Sequence, residues 1–93
     1  MEVKTFGVIG AGQMGSGIVH VAAASGLSVI MNDIKQEFVD RGLANIAKNL
    51  QRGVDKGKMT AEEKDAILGR IKGSTDLKDL AAADFVVEAA SEN

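Results

Sequence analysis

The residues best suited to chemistry in this 93-residue chain are three glycines and one acid. Gly10-Ala11-Gly12-Gln13-Met14-Gly15 has the pattern G-x-G-x-x-G, and Asp33 follows at the end of the next apolar run. Such a turn brings backbone against an anion. Gly10 permits a tight exit from a strand, Gly12 leaves no side chain between the backbone and a diphosphate, and Gly15 lets a helix pack closely on the sheet. Gly17 thins the same helix face further. The helix N-terminus offers unpaired N–H groups and a partial positive charge. A carboxylate at the end of the second strand accepts hydrogen bonds from ribose hydroxyls and repels a 2′-phosphate. The pattern predicts a dinucleotide site that prefers NAD to NADP, with Lys35 near enough in sequence to soften that preference. Packing a helix on a sheet would need one glycine rather than three.

Composition removes other chemistries. There is no cysteine, so disulfides, thiolate-ligated metals and thiol catalysis are excluded, and a single histidine leaves no His-rich metal site. Aromatic residues are 3% and the net charge is −2, which argues against a basic groove or stacking platform for nucleic acid. No apolar run approaches the ~18 residues of a membrane span. The start, Met1-Glu2-Val3-Lys4-Thr5, reads as neither signal nor transit peptide, and the expected location is cytoplasmic.

The elements that must position the glycines and Asp33 are legible in order. Phe6-Gly7-Val8-Ile9 reads as a buried strand. Met14, Ile18, Val21 and Ala22 recur at helical spacing through Ser25, and Gly26 follows as a helix-ending glycine. Leu27 to Met31 reads as a second strand, stopped by Asn32-Asp33. This is a βαβ unit, with parallel pairing and a right-handed crossover. Val39, Leu43, Ile46, Leu50 and Val54 form one stripe of a long amphipathic helix ended by Lys56-Gly57-Lys58. Thr60-Ala61-Glu62-Glu63 is a capping box opening a shorter helix to about Leu68, so the pair reads as a helical hairpin. Ile71 to Ser74 is a weak third strand, Asp76 caps a short helix, and Phe85-Val86-Val87 is a strong fourth strand. The alternation predicts an α/β fold: a Rossmann-type parallel sheet with helices on both faces, incomplete at its C-terminal side, with an inserted helical hairpin.

The block from Gly10 to Gly17 with Ile18, the run Val21 to Gly26, Asp33, Lys56 to Thr60, Ser74 to Leu77, and Asp84 to Asn93 together resemble the amino-terminal part of the 3-hydroxyacyl-CoA dehydrogenase family, 3-hydroxybutyryl-CoA dehydrogenases included. The likeness covers essentially the whole chain, 1–93, as an NAD-binding portion. It implies reversible hydride transfer between NAD and the 3-hydroxyl carbon of an acyl-CoA substrate. It also implies that Gly10, Ala11, Gly12, Gln13, Met14 and Gly15 hold the cofactor diphosphate and Asp33 its adenosine ribose. Ala89 and Glu92 would lie along the cofactor towards the nicotinamide. The hairpin would face CoA, with Lys56 nearest its phosphates and Asn49 one helix face away. Lys56 is equally a cation in the last turn of a helix, where the macrodipole favours it.

Alcohol oxidation by hydride transfer needs a base. The resemblance puts that histidine–glutamate pair, and a helical substrate and dimerisation domain, beyond Asn93. His20 sits inside the first helix and reads as a packed histidine; no catalytic residue and no metal ligand is assigned. The chain alone is expected to bind dinucleotide without turnover. An apolar strand ending the sheet invites another chain, so self-association, or the remainder of a longer polypeptide, is the expected partner. Two alternatives stay open: another β-hydroxyacid dehydrogenase, of the 6-phosphogluconate or 3-hydroxyisobutyrate type, and a non-catalytic dinucleotide-binding module.

Overall fold

The computed structural model describes residues 4–89. Strand β1 (Thr5–Ile9) leads into helix α1 (Gln13–Ala24), then strand β2 (Ser28–Asn32), the long helix α2 (Gln36–Asp55), helix α3 (Ala61–Gly69) and strand β3 (Ile71–Ser74). A 3-10 helix, Leu77–Ala82, precedes strand β4 (Phe85–Glu88). All pairings are parallel and the strand order is β3-β2-β1-β4. The chain steps outward from β1 to β3 and then returns to the other side of β1. That reversal leaves a crevice beyond the carboxyl ends of β1 and β4, where ligands of such sheets bind.

Register assigns the faces. Phe6, Val29 and Ile71 are paired in line, as are Val8, Met31 and Gly73. Val8, Val29 and Met31 join one buried cluster with Val19 and Ala23 of α1, Val39, Ile46 and Leu50 of α2, and Ile67 of α3, and Phe6 and Ile71 pack against it. Val8, Met31, Val39 and Leu50 have no measurable exposure. Full burial of such a side chain is worth roughly 1.5–3 kcal/mol, so this layer dominates stability. All three α-helices lie on this face. Among the described residues the opposite face carries only the 3-10 helix, whose Leu80 packs over Gly7. Helical cover on that side is therefore slight, because the connection from β3 to β4 is short.

The α1 helix forms where its spacing predicts, but it turns a different side to the sheet. Gly15, Ser16, Val19, Ala22 and Ala23 are buried, whereas Met14 and Val21 are 68% and 66% exposed. Small residues win the sheet-facing side because they allow the helix to approach closely. Met31 is core and Met59 packs against the core, while Met14 is exposed and lines a cleft with Phe6 and Ile18.

Helix ends follow their sequence signals. Thr60 and Glu63 close a reciprocal capping box at 3.0 and 3.1 Å, and Asp76 caps the 3-10 helix through the Lys78 amide at 2.9 Å. At the end of α2 the Lys58 amide donates to Gly53 O and the Gly57 amide to Val54 O, a Schellman closure. The α3 helix returns onto α2, where Lys64 Nζ donates to Gln51 Oε1 at 2.7 Å. No described helix is long and apolar enough to cross a membrane, and no group of three or more potential metal ligands occurs among the described residues.

Candidate functional site

The turn between β1 and α1 is fixed by its own backbone. Gly10 has φ 110°, a conformation that L side chains rarely adopt. Its amide donates to Asn32 O at 2.7 Å, extending the β1–β2 ladder into the turn. A Cβ on Gly15 would lie 1.7 Å from Gly10 O, so the first and third glycines are in direct contact and neither tolerates a side chain. Gly12 is the opposite case: nothing lies within 4 Å of where its Cβ would be. It is the N-cap of α1, provides no side-chain cap, and no acid occupies the first turn.

The amides divide into two sets. Gly10 and Ala11 spend theirs internally, the latter on Asp33 Oδ2 at 2.8 Å. Those of Gly12, Gln13, Met14 and Gly15 have no acceptor among the described residues, and the first one returned to the helix is that of Ser16, to Gly12 O. Gly10 and Ala11 thus shape the turn, and the next four residues present it.

Asp33 lies just past β2. Its Oδ1 accepts from the Ile34 amide at 2.7 Å, so both carboxylate oxygens are anchored by backbone. Each oxygen has about two acceptor positions, which leaves one apiece for a further donor. Asp33 therefore ties the glycine turn to the end of β2 and still offers a hydrogen-bonding edge. It borders two clefts. One, of about 440 Å³, runs past Gly10, Ile34 and Leu77 to Glu88. The other, of about 250 Å³, lies towards Phe38 and Arg41. Free amides, an uncapped helix start, open space at Gly12 and an acceptor edge suit a dinucleotide's diphosphate and ribose.

The remaining sequence-predicted residues are less tightly gathered. The Ala89 amide donates to Ile9 O at 2.8 Å, which puts residue 89 beside the glycine turn at the crevice. Glu92 lies outside the described residues. Asn49 and Lys56 are both exposed on α2, and Lys56 is its C-cap. Lys56 is about 22 Å along the helix axis from Arg41. His20 is half-buried inside α1, as expected of a packing residue.

Three residues that the sequence pattern did not flag help build the site. Ser16 is buried and donates from Oγ to Ala11 O at 2.9 Å. Gly42 brings α2 against the turn: its Cβ would sit 2.7 Å from Ala11 O. Arg41 follows from that contact, on the wall of the clefts beside Ala11 and Gly12. A glycine in mid-helix beside an apolar stripe, where it costs ~1 kcal/mol against alanine, was the available signal.

Fold and turn together define a dinucleotide-binding domain of the Rossmann class. Residues 5–93 match the family described as 3-hydroxyacyl-CoA dehydrogenase, NAD binding domain. This chain belongs to that family. It is 56% identical over 88 residues to a probable 3-hydroxybutyryl-CoA dehydrogenase of Deinococcus radiodurans, covering 95% of this chain and 31% of that protein. It is 46% identical to a 3-hydroxyadipyl-CoA dehydrogenase of Escherichia coli, covering 99% of this chain and 19% of that one. Among solved structures, an (S)-3-hydroxybutyryl-CoA dehydrogenase from Ralstonia eutropha superposes with a TM-score of 0.96 at 47% identity, over 99% of this chain and 32% of that one. The chain thus spans about a third, or less, of the relatives named. The NAD cofactor follows from the family, and the 6-phosphogluconate and 3-hydroxyisobutyrate alternatives give way to the hydroxyacyl-CoA group.

Proposed function

We propose that this chain is the NAD-binding portion of a dehydrogenase acting on 3-hydroxyacyl-CoA. Bound NAD would supply the hydride acceptor for the 3-hydroxyl carbon. The residues of this chain bind and orient it. Amides of Gly12, Gln13, Met14 and Gly15 receive the diphosphate, on a turn shaped by Gly10 and Ala11. The free edge of Asp33 receives the adenosine ribose. Ala89 and Glu92 line the path towards the nicotinamide, and Lys56, assisted by Asn49, attracts CoA phosphates as a point charge.

The observation that carries the reading is the run of four unpaired amides at an uncapped helix start, beside a carboxylate with spare acceptor capacity. His20 lies inside α1, and no residue of this chain is assigned as the base for the hydroxyl proton; the role proposed for the chain is to bind and orient NAD. Strand β4, with Phe85 54% and Val86 42% exposed, is the surface where further polypeptide or a second copy would add.

Calorimetric titration with NAD tests the site. Asp33→Ala should weaken binding by a factor of ten or more, about 1.4 kcal/mol. Full affinity in that variant would remove Asp33 from the site.

A further inference from the structure

We propose that Arg41 is a second determinant of nucleotide specificity: a cation placed to receive a phosphate on the adenosine 2′-oxygen, and held in check by Asp33. This rests on the reading of the glycine turn and Asp33 as the adenosine end of the NAD site.

The argument begins with placement. Ala11, Gly12, Asp33, Phe38 and Arg41 enclose a cleft of about 250 Å³. Its lining shares only Asp33 with the larger cleft that leads to Leu77 and Glu88. Asp33 lines both clefts, so a ribose held by its free edge would border this smaller one, where a 2′-phosphate is proposed to enter. Arg41 is the cation on its wall.

Arg41 is there because α2 is clamped. The absent side chain of Gly42 lets the helix rest on the turn, where a Cβ would meet Ala11 O at 2.7 Å, Met31 Cε at 3.1 Å and Ser16 Oγ at 3.1 Å. The backbone of residue 41 is therefore fixed relative to Asp33, while its side chain extends into solvent. The ion pair formed by Arg41 is with Glu37 at 3.7 Å, and the two side chains are 76% and 64% exposed. A pair of that kind contributes little and yields readily to a doubly charged phosphate, which a guanidinium can grip through two N–H groups. Lys35 adds positive potential at the same wall, its Nζ 5.8 Å from the centroid of the Phe38 ring. Against these stand Glu37 and, above all, Asp33. NAD preference is then a balance between two charges on one cleft rather than the act of a single acid.

NADP and NAD separate the terms, since they differ by the 2′-phosphate alone. In the wild-type chain NAD binds and NADP binds more weakly. Asp33→Asn removes the charge but retains an oxygen that can accept from Ala11. It should strengthen NADP about tenfold relative to NAD, the scale of one charge-assisted contact. Adding Arg41→Ala should cancel that gain. A gain of equal size with and without Arg41, or none while NAD still binds, overturns the proposal. Should Asp33→Asn fail to fold, the exposed Glu37→Gln serves: it should raise the NADP-to-NAD preference, and Arg41→Ala should abolish the rise. Wild-type chain that binds neither nucleotide overturns both this proposal and the site reading beneath it.

Discussion

At the entry to the glycine turn, Gly10 and Ala11 are each held from several directions, whereas the hairpin tip and strand β4 are held more loosely. Gly10 is bonded to β2 and touches Gly15; Ala11 is bonded to Asp33, accepts from Ser16 and lies under Gly42. Lys56, by contrast, ends a helix with its side chain in solvent, and among the described residues β4 pairs only with β1. The difference teaches where precision is needed. A diphosphate is met by short hydrogen bonds whose donors must not move, while a long-range charge works from an approximate position. The sharpest way to break the comparison is Gly42→Val. Its Cβ would meet a backbone carbonyl at 2.7 Å rather than a flexible side chain. Such overpacking typically costs about 1–3 kcal/mol, or roughly 4–8 °C in melting temperature per kcal/mol for a domain of this size. NAD affinity should fall at least about tenfold because the turn is displaced. A variant that melts and binds like wild type would show that α2 does not brace the turn.

How much of this was legible in the sequence follows the same division. The strand–turn–helix–strand order, the position of Asp33, the Thr60 capping box of α3 and the Asp76 cap of the 3-10 helix are local signals, and each lies where its residues predict. The long stripe of α2 gave Val39, Ile46 and Leu50 as core correctly. The buried side of α1 was not legible from periodicity, because close approach to a sheet selects for small volume and leaves Met14 and Val21 outside. Gly42 and Arg41 were missed because their partners are far away in sequence, at the turn. Asp84 was visible only as one member of a resembling block, yet it fastens the sheet edge through the amides of residues at the far end of the chain.

That fastening supplies the second prediction. Asp84 Oδ2 accepts from the Lys4 amide at 2.9 Å and the Thr5 amide at 3.0 Å. These two backbone hydrogen bonds, more than the nearby Lys4 charge, hold its carboxyl below the ordinary value of 3.8. A carboxylate whose pKa is lowered by folding stabilises the fold above its unfolded value, and that contribution is lost as pH falls through the lower folded value. Thermal melts should therefore show wild type more stable than Asp84→Asn at neutral pH, with the gap closing below about pH 4. A gap that persists unchanged at pH 2 would mean that Asp84 acts through shape and not through its charge. The comparison would then need revision, since β4 would be tied to the start of β1 by more than one ionised group.

The smallest effect is expected at the hairpin tip, where Lys56→Ala tests whether position there is a matter of charge alone. The Schellman closure is made by the Gly57 and Lys58 amides, and the Lys56 amide donates to Arg52 O; none of these uses the lysine side chain. Stability should drop by about 0.5 kcal/mol or less, the size of one cation's interaction with a helix C-terminus. NAD affinity should not change, because the turn lies about 22 Å away along α2. CoA is the discriminating ligand. Amide resonances from Lys56 to Met59 should shift when 3-hydroxybutyryl-CoA is titrated into the chain, and a sugar acid should leave them still. Lys56→Ala should weaken that CoA response severalfold, Lys56→Arg should preserve most of it, and added salt should diminish it in wild type, as expected of an exposed point charge. If Lys56→Ala instead lowers NAD affinity along with the CoA response, the tip is coupled to the turn through α2. The two regions would then be one mechanical unit, and the long helix between them, rather than either end, would be the element to vary next.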